Sequence, residues 1–216
     1  MRKIFLFFLV VLLIAGCAPN PYRKIKNIHA AKGTNLICFG DSLTAGEGAG
    51  TGQDYPNLLA AKVTIPVINA GSSGATTAQA LAMMERNVLD NDPKIVIVEF
   101  GANDYIQSGG STAAMDNAFS NLALLINQIQ KKGAVVILAD VNINSSLSSR
   151  FSNLARTTRS VYIPDIMDGI THNPDLMSDS LHPNSAGYVK MADTVFKYVQ
   201  PVLEEMKNYQ DDNPAP

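Results

Sequence analysis

The chain has 216 residues, of which 46% are apolar and 17% charged, a composition that suits one globular domain with a sizeable core. Its 19 acidic and 17 basic residues give a formal net charge of −2 at pH 7, which argues against nucleic acid as a partner. The chain contains no CxxC pair, histidine cluster, GxGxxG motif or P-loop, so the sequence predicts neither a metal site nor a bound cofactor.

The first 16 residues have the pattern of a signal peptide. Arg2 and Lys3 precede an apolar run from Ile4 to Ala15, which is too short to span a bilayer as a mature helix. The run leads into Leu-Ile-Ala-Gly-Cys, ending at Cys17, which resembles the lipobox of bacterial lipoproteins. That resemblance implies cleavage before Cys17 and lipid attachment to it, leaving a mature net charge of −4. An ordinary cleaved signal without lipid is the alternative.

Residues 17–33 are predicted to be the lipidated cysteine and a tether between the lipid and the domain. This stretch carries Pro19, Pro21 and scattered basic residues, and it has no apolar period. His29 lies within it and is expected to be solvated. The folded domain is predicted to span residues 34–206, followed by a flexible tail at 207–216. Cys38 is expected to be a small core residue, because it lies inside the first apolar run of the domain.

From Asn35 onwards, short apolar runs alternate with longer helical stretches. Strands are predicted at residues 36–39, 66–69, 94–100, 134–139 and 161–164. Helices are predicted at residues 55–63, 76–89, 113–131, 150–159 and 184–206. This unbroken β-α alternation predicts a single α/β domain with a parallel sheet and helices on both faces.

The stretch Gly40-Asp41-Ser42-Leu43 follows the first predicted strand. A serine at the carboxyl end of a strand, where a helix begins, stands where open α/β sheets place their ligands. Its backbone N–H and the helix dipole both favour negative charge there. The alternative is that Asp41 or Ser42 merely caps a helix. A nucleophilic role for Ser42 therefore depends on partners elsewhere in the chain.

A nucleophilic serine needs a base and a group that orients the base. Of the three histidines, His182 has Asp179 three residues before it, a spacing that lets the carboxylate reach the imidazole within a turn. Pro183 restricts the backbone of His182 and suits the first turn of a following helix. His172, with Asp168 four residues before it, is a competing pair. A surface histidine with no catalytic role remains the alternative for His182.

The developing oxyanion needs hydrogen-bond donors, and three are available at strand ends. These are the backbone N–H groups of Ser42 and Gly71 and the side-chain amide of Asn103. Glycine and asparagine are also ordinary turn residues, so each position has a structural alternative.

Taken in order, these motifs resemble the SGNH/GDSL hydrolase family. The matching stretches are Gly-Asp-Ser-Leu at 40–43, Gly71, Gly-Ala-Asn-Asp at 101–104 and Asp-Ser-Leu-His-Pro at 179–183. The resemblance spans residues 35–202 and is greatest to the arylesterase, thioesterase I and lysophospholipase L1 branch. It implies a flavodoxin-like three-layer α/β/α sandwich with five parallel strands in the order 2-1-3-4-5, and no metal. It also implies a catalytic triad of Ser42, Asp179 and His182.

The resulting hypothesis is a lipid-anchored serine esterase or thioesterase of the bacterial envelope that acts on acyl esters, including lysophospholipids. A carbohydrate O-acetylesterase acting on envelope or extracellular glycans is the second hypothesis, and a non-catalytic binding lipoprotein is the third. Apolar side chains at the pocket would favour acyl chains, and Ile106, Ile143 and Leu147 are the candidates. The absence of Trp from the sequence also favours acyl substrates over sugars.

Overall fold

The computed structural model describes residues 20–213, and its centre is a five-stranded parallel sheet. The strands are β1 (Asn35–Gly40), β2 (Val67–Asn69), β3 (Pro93–Glu99), β4 (Val135–Ala139) and β5 (Val161–Ile163). They lie in the order β2-β1-β3-β4-β5, so the predicted strand order is confirmed. The inner strands carry unbroken runs of buried Ile, Val and Leu, because helices cover both faces of the sheet.

Seven α-helices are found within residues 20–213, and the longer ones form two layers over the sheet. They are α1 (Ser42–Ala45), α2 (Tyr55–Ala60), α3 (Thr77–Asn87), α4 (Ala102–Gln107), α5 (Thr112–Lys131), α6 (Ser145–Thr158) and α7 (Ser185–Asp212). One core cluster joins the sheet to α2 and α7, and the other joins its opposite face to α3, α5 and α6. The predicted α/β/α sandwich is therefore confirmed, and Cys38 is fully buried in the first cluster.

Two local assignments differ from the sequence prediction. Helix α4 lies between the strand predicted at 94–100 and the helix predicted at 113–131, where no element was predicted. None of its residues is buried, so the sequence has no apolar period there. Helix α6 begins at Ser145, before the predicted start at residue 150, and the Asn144 side chain caps it by accepting a hydrogen bond from the Ser146 N–H.

The segment before β1 differs from the predicted tether. A 3-10 helix forms at Pro21–Lys24, and Ile28 is buried against the core. The Asn27 amide donates to the carbonyls of Gln130 and Ala134, both at 2.8 Å, so the segment is bound to the domain. The predicted signal peptide and Cys17 lie outside the described residues.

The end of the chain also differs from the prediction. Helix α7 continues past residue 206 to Asp212, where a flexible tail was expected. The ring of Tyr209 stacks on His29, with centroids 4.0 Å apart and an angle of 8° between the planes. His29 is exposed, as expected, but one face of its ring packs on α7. No helix within residues 20–213 is long and apolar enough to cross a membrane.

Candidate active site

Ser42 lies at the carboxyl edge of the sheet, where β1 turns directly into α1. Asp41 caps α1, and its Oδ1 accepts a hydrogen bond from the Leu43 N–H at 3.1 Å. Gly40 is required by close packing, since a Cβ there would overlap the Thr44 hydroxyl and the Glu99 carboxyl. This tight turn presents the Ser42 hydroxyl at the carboxyl end of β1.

Ser42, His182 and Asp179 form an unbroken chain of hydrogen bonds. His182 Nε2 lies 3.0 Å from Ser42 Oγ, and His182 Nδ1 lies 2.9 Å from Asp179 Oδ2. Because a carboxylate only accepts, Nδ1 carries the proton and Nε2 of the neutral ring is free to accept from the serine. The structure therefore brings together the three residues that the sequence nominated as nucleophile, base and orienting group.

The loop that carries this histidine is held by local bonds. Asp179 Oδ1 accepts from the backbone N–H groups of Leu181 and His182 at 2.7 and 2.8 Å. The bond from the His182 ring, with these two backbone bonds, lowers the pKa of Asp179 to about 2. The Ser178 N–H donates to the His182 carbonyl at 2.8 Å, and Asn184 caps α7. A three-residue spacing in a tight turn thus builds the pair from nearby residues alone.

The three predicted oxyanion donors differ in whether they already have a hydrogen-bond acceptor within the protein. The Ser42 N–H has no acceptor within residues 20–213. The Gly71 N–H donates to Asn69 Oδ1 at 2.9 Å. Both amide hydrogens of Asn103 are also used, one by Asp41 Oδ2 at 2.9 Å and the other by the Ala75 carbonyl at 3.2 Å. A substrate oxygen would therefore find the Ser42 donor free and would compete for the other two.

A cavity of about 860 Å³ opens above Ser42 and His182. Its apolar lining comes from seven side chains: Leu43, Ala102, Ile106, Val141, Ile143, Met167 and Leu181. The predicted positions Ile106 and Ile143 line the cavity and are 47% and 37% exposed. Leu147 instead is 9% exposed and packs into the core with α6, because its position on the helix faces the sheet.

Residues 38–190 match the model of the GDSL-like lipase/acylhydrolase family. The chain belongs to this family. It is 25% identical over 206 residues to the esterase TesA of Pseudomonas aeruginosa, covering 89% of this chain and 98% of that protein. It is 26% identical over 196 residues to thioesterase 1/protease 1/lysophospholipase L1 of Escherichia coli, covering 86% and 92%.

The solved structure of the psychrotrophic esterase EstA from Pseudoalteromonas sp., inhibited by monoethylphosphonate, has a similar fold. Its TM-score to this chain is 0.68 at 27% identity, over 79% of this chain and 99% of that one. The family and these bacterial relatives identify the chain as a hydrolase of ester bonds.

Beneath Ser42, the GDSL hydrolase buries two carboxyl groups that the sequence analysis did not assign as a pair. Asp41 and Glu99 are 2% and 1% exposed. Glu99 Oε2 accepts from the Thr44 hydroxyl at 3.0 Å and from the Asp41 N–H at 3.3 Å, whereas Oε1 has no partner within residues 20–213. A glutamate inside the otherwise apolar run of residues 95–100 was the one available signal of this arrangement.

Burial shifts the pKa of both carboxyl groups upward. Loss of solvation raises the pKa of Asp41 to about 6, against the hydrogen bonds from Leu43 and Asn103. Burial, together with the charge of Asp41, raises the pKa of Glu99 well above its ordinary value. In this hydrolase the environment beneath Ser42 therefore favours protonation of one of the two carboxyl groups over ionisation of both.

The other two histidines of the hydrolase do not reach Ser42. His172 lines the outer part of the cavity, and no hydrogen bond within residues 20–213 joins it to Asp168. His29 lies at the amino edge of the sheet, with Nε2 2.8 Å from Glu205 Oε1. No group of three or more His, Cys, Asp or Glu side chains in the described part of the chain is arranged to hold a metal ion.

Proposed function

We propose that this hydrolase cleaves acyl esters and thioesters by acyl transfer through Ser42, His182 and Asp179. The observation that carries the proposal is the hydrogen-bond chain of 2.9 and 3.0 Å that ends on a serine at the floor of an open cavity. It has the geometry of a nucleophile, a base and an orienting carboxylate.

In the first step, His182 Nε2 takes the proton of Ser42 as Oγ attacks the acyl carbonyl. The imidazolium that forms is stabilised by Asp179, and it then gives the proton to the leaving alcohol or thiol. In the second step, His182 takes a proton from water, which attacks the acyl-serine. Release of the acid returns the proton to Ser42.

The oxyanion is assigned to the donors beside Ser42. The Ser42 N–H is free to donate, and the Asn103 amide can exchange its longer bond to the Ala75 carbonyl for a bond to the anion. The Gly71 N–H is assigned as a third donor once it leaves Asn69 Oδ1. A charged acceptor competes well for these donors, because bonds to ionised groups are stronger than bonds between neutral groups.

The cavity lining supports an acyl chain as the part of the substrate that is recognised. Seven aliphatic or methionine side chains line it, and no Phe or Tyr does so within residues 20–213. A sugar-binding site would be expected to offer aromatic faces for stacking. These features favour fatty-acyl esters, including lysophospholipids, over acetylated glycans.

The test is a series of p-nitrophenyl esters from acetate to palmitate, combined with labelling by a fluorophosphonate. We expect kcat/KM to be highest for a chain longer than acetate, because each buried methylene contributes about 0.8 kcal/mol. Ser42→Ala should lose both labelling and turnover, while the exposed Ser152→Ala keeps both. Labelling of Ser42→Ala at the wild-type level would refute the nucleophile, and a strict preference for acetate would favour the glycan hypothesis.

We also propose that the chain is a lipoprotein of the bacterial envelope, anchored through lipid on Cys17. The support is the lipobox-like sequence that ends at this cysteine after an apolar run of signal length. Cys17→Ser should abolish lipid attachment and leave an uncleaved or a soluble form, with its esterase activity retained. Wild-type protein in the aqueous phase of a detergent partition would contradict lipidation.

A further inference from the structure

The segment before β1 runs along the amino edge of the sheet. The backbone N–H of Lys26 donates to the Arg159 carbonyl at 2.9 Å, just before β5. The Asn27 amide donates to the Ala134 carbonyl, just before β4. The N–H of Thr34 donates to the Asp92 carbonyl at 3.1 Å, just before β3. Residues 20–34 therefore cover the edge opposite to the one that carries Ser42.

The start of this segment is also fixed to α7. The carboxylate of Glu205 accepts from the Asn20 amide at 2.6 Å, pairs with His29 at 2.8 Å and lies 3.3 Å from the Arg23 guanidinium. The Glu205 side chain is only 5% exposed, and His29 also stacks on Tyr209. Asn20 thus has a defined position at the amino edge.

Lipid on Cys17 would hold this edge close to the membrane. Cys17 precedes Asn20 by three residues, which span at most about 11 Å when extended. A bilayer that holds the lipid is therefore nearer to the amino edge than to any part of the cavity, since β1 alone is six residues, or about 20 Å, long.

The charges of the two edges differ in sign. Six basic residues form what we call the amino-edge surface: Lys24, Lys26, Lys32, Lys131, Lys132 and Arg159. The carboxylates at this end are Asp90 and Asp92 before β3, Glu204, Asp211 and Asp212 on α7, and Glu205, whose charge is paired with Arg23. The carboxyl edge, by contrast, carries Glu47, Asp104, Asp165, Asp168, Asp175 and Asp179, with Arg150 and Lys190 as its basic residues. Such a polarity turns the amino edge towards anionic lipids and the cavity away from them.

We propose that the amino-edge surface docks on an anionic phospholipid bilayer, so that the Ser42 cavity opens away from the membrane that holds the lipid. The proposal rests on the lipid anchor at Cys17. Substrate then reaches the cavity from the aqueous side. Lipids of the anchoring leaflet lie at the amino edge, opposite to the cavity.

The test uses the full lipidated protein in phosphatidylcholine vesicles with and without phosphatidylglycerol. Energy transfer to an acceptor lipid is measured from a fluorophore on Leu181→Cys, at the cavity, and from one on Lys132→Cys, at the amino edge. Cys38 is buried and does not compete for label. We expect the Leu181 position to lie about 20 Å further from the bilayer. Equal distances, or a nearer cavity, would overturn the proposal.

A charge-reversal pair tests the role of the lipid headgroups. Lys24→Glu/Lys132→Glu should remove the effect of phosphatidylglycerol on the two distances, whereas Arg150→Glu/Lys197→Glu, with the same change in charge elsewhere, should keep it. An equal response of the two variants would overturn docking by charge. Failure of the anchor is separately visible, because unlipidated protein does not float with the vesicles. Failure of the proposed nucleophile does not affect a cysteine label.

Discussion

Each edge of the sheet carries an imidazole hydrogen-bonded to a carboxylate, yet only one of the two pairs lies in a cavity. His182 is 2.9 Å from Asp179, and its second ring nitrogen lies 3.0 Å from Ser42 Oγ. His29 is 2.8 Å from Glu205, but its ring face is covered by Tyr209. A carboxylate-imidazole pair by itself therefore fixes only the orientation of a ring. Chemistry requires that the second nitrogen meets a nucleophile that substrate can reach.

The two carboxylates also differ in burial. The Asp179 side chain is 55% exposed, whereas that of Glu205 is 5% exposed and is shared by three donors. Burial works to raise the pKa of Glu205, but the His29 bond, the Arg23 charge and the Asn20 bond leave it below its ordinary value. Glu205 therefore joins α7 to the segment before β1, whereas the hydrogen bonds of Asp179 stay within its own loop.

The largest expected effect separates the two histidines by activity. His182→Ala should lower kcat by about 10⁴-fold or more, since the proposed base is lost. His29→Ala and His172→Ala should leave kcat within a few-fold of wild type, because neither ring reaches Ser42. Steady-state kinetics on a p-nitrophenyl ester measures all three. An inactive His172→Ala variant together with an active His182→Ala variant would show that the base is His172 and that the proposed assignment to His182 is wrong.

Asn103→Ala tests the proposed oxyanion donor, a second feature that the carboxyl edge has and the amino edge lacks. We expect kcat to fall by about 10²- to 10³-fold with little change in KM, because the amide is proposed to bind the oxyanion and not the ground state. Asn121→Ala, which removes a side-chain amide donor behind α3, serves as the control. A loss confined to KM would mean that Asn103 positions substrate instead.

Removing the carboxylate of the other pair should change stability and spare activity. Glu205→Ala leaves Asn20 and His29 without their acceptor, so the free energy of unfolding should fall by about 1–3 kcal/mol. Chemical denaturation measures the change, and kcat should stay at the wild-type value. Asp179→Ala should show the reverse pattern, with activity lost and the denaturation midpoint little changed. A Glu205 variant that unfolds like wild type would show that the amino-terminal segment is not clamped.

The smallest expected effect is a dependence of stability on pH that has opposite signs in the two kinds of carboxyl group. For Asp179 and Glu205 the folded pKa is lowered, so their contribution is present above the unfolded pKa and is lost as pH falls. For Glu99 and Asp41 the folded pKa is raised. Their contribution is therefore greatest at low pH, and it declines as pH rises, for Asp41 through about 6.

Glu99→Gln should flatten that decline above pH 4.5, because a neutral amide of similar shape replaces the buried acid. Denaturation midpoints measured from pH 4 to pH 8 test this, with Glu85→Gln on the exposed face of α3 as the matched control. An unchanged pH profile in Glu99→Gln would mean that the carboxyl beneath Ser42 does not titrate in this range.

Much of the fold follows from local pattern. The unalternated Ile/Val run of β3 and the alternation of strands with helices predicted a parallel sheet, because strands covered on both faces need apolar side chains on both. The order of the four motifs predicted the family. By contrast, α4 has no buried face and left no period to detect.

The Asp179–His182 pair was accessible to sequence because three residues of a turn fix it. The sequence by itself thus determined the strands, the serine turn and this local pair. Only the tertiary structure decided that Glu205 meets His29 across 176 residues and that Glu99 lies unsolvated beneath Ser42. The first feature depends on a contact between distant segments, and the second on the loss of water around a carboxyl group. Neither cause produces a periodic pattern in the sequence.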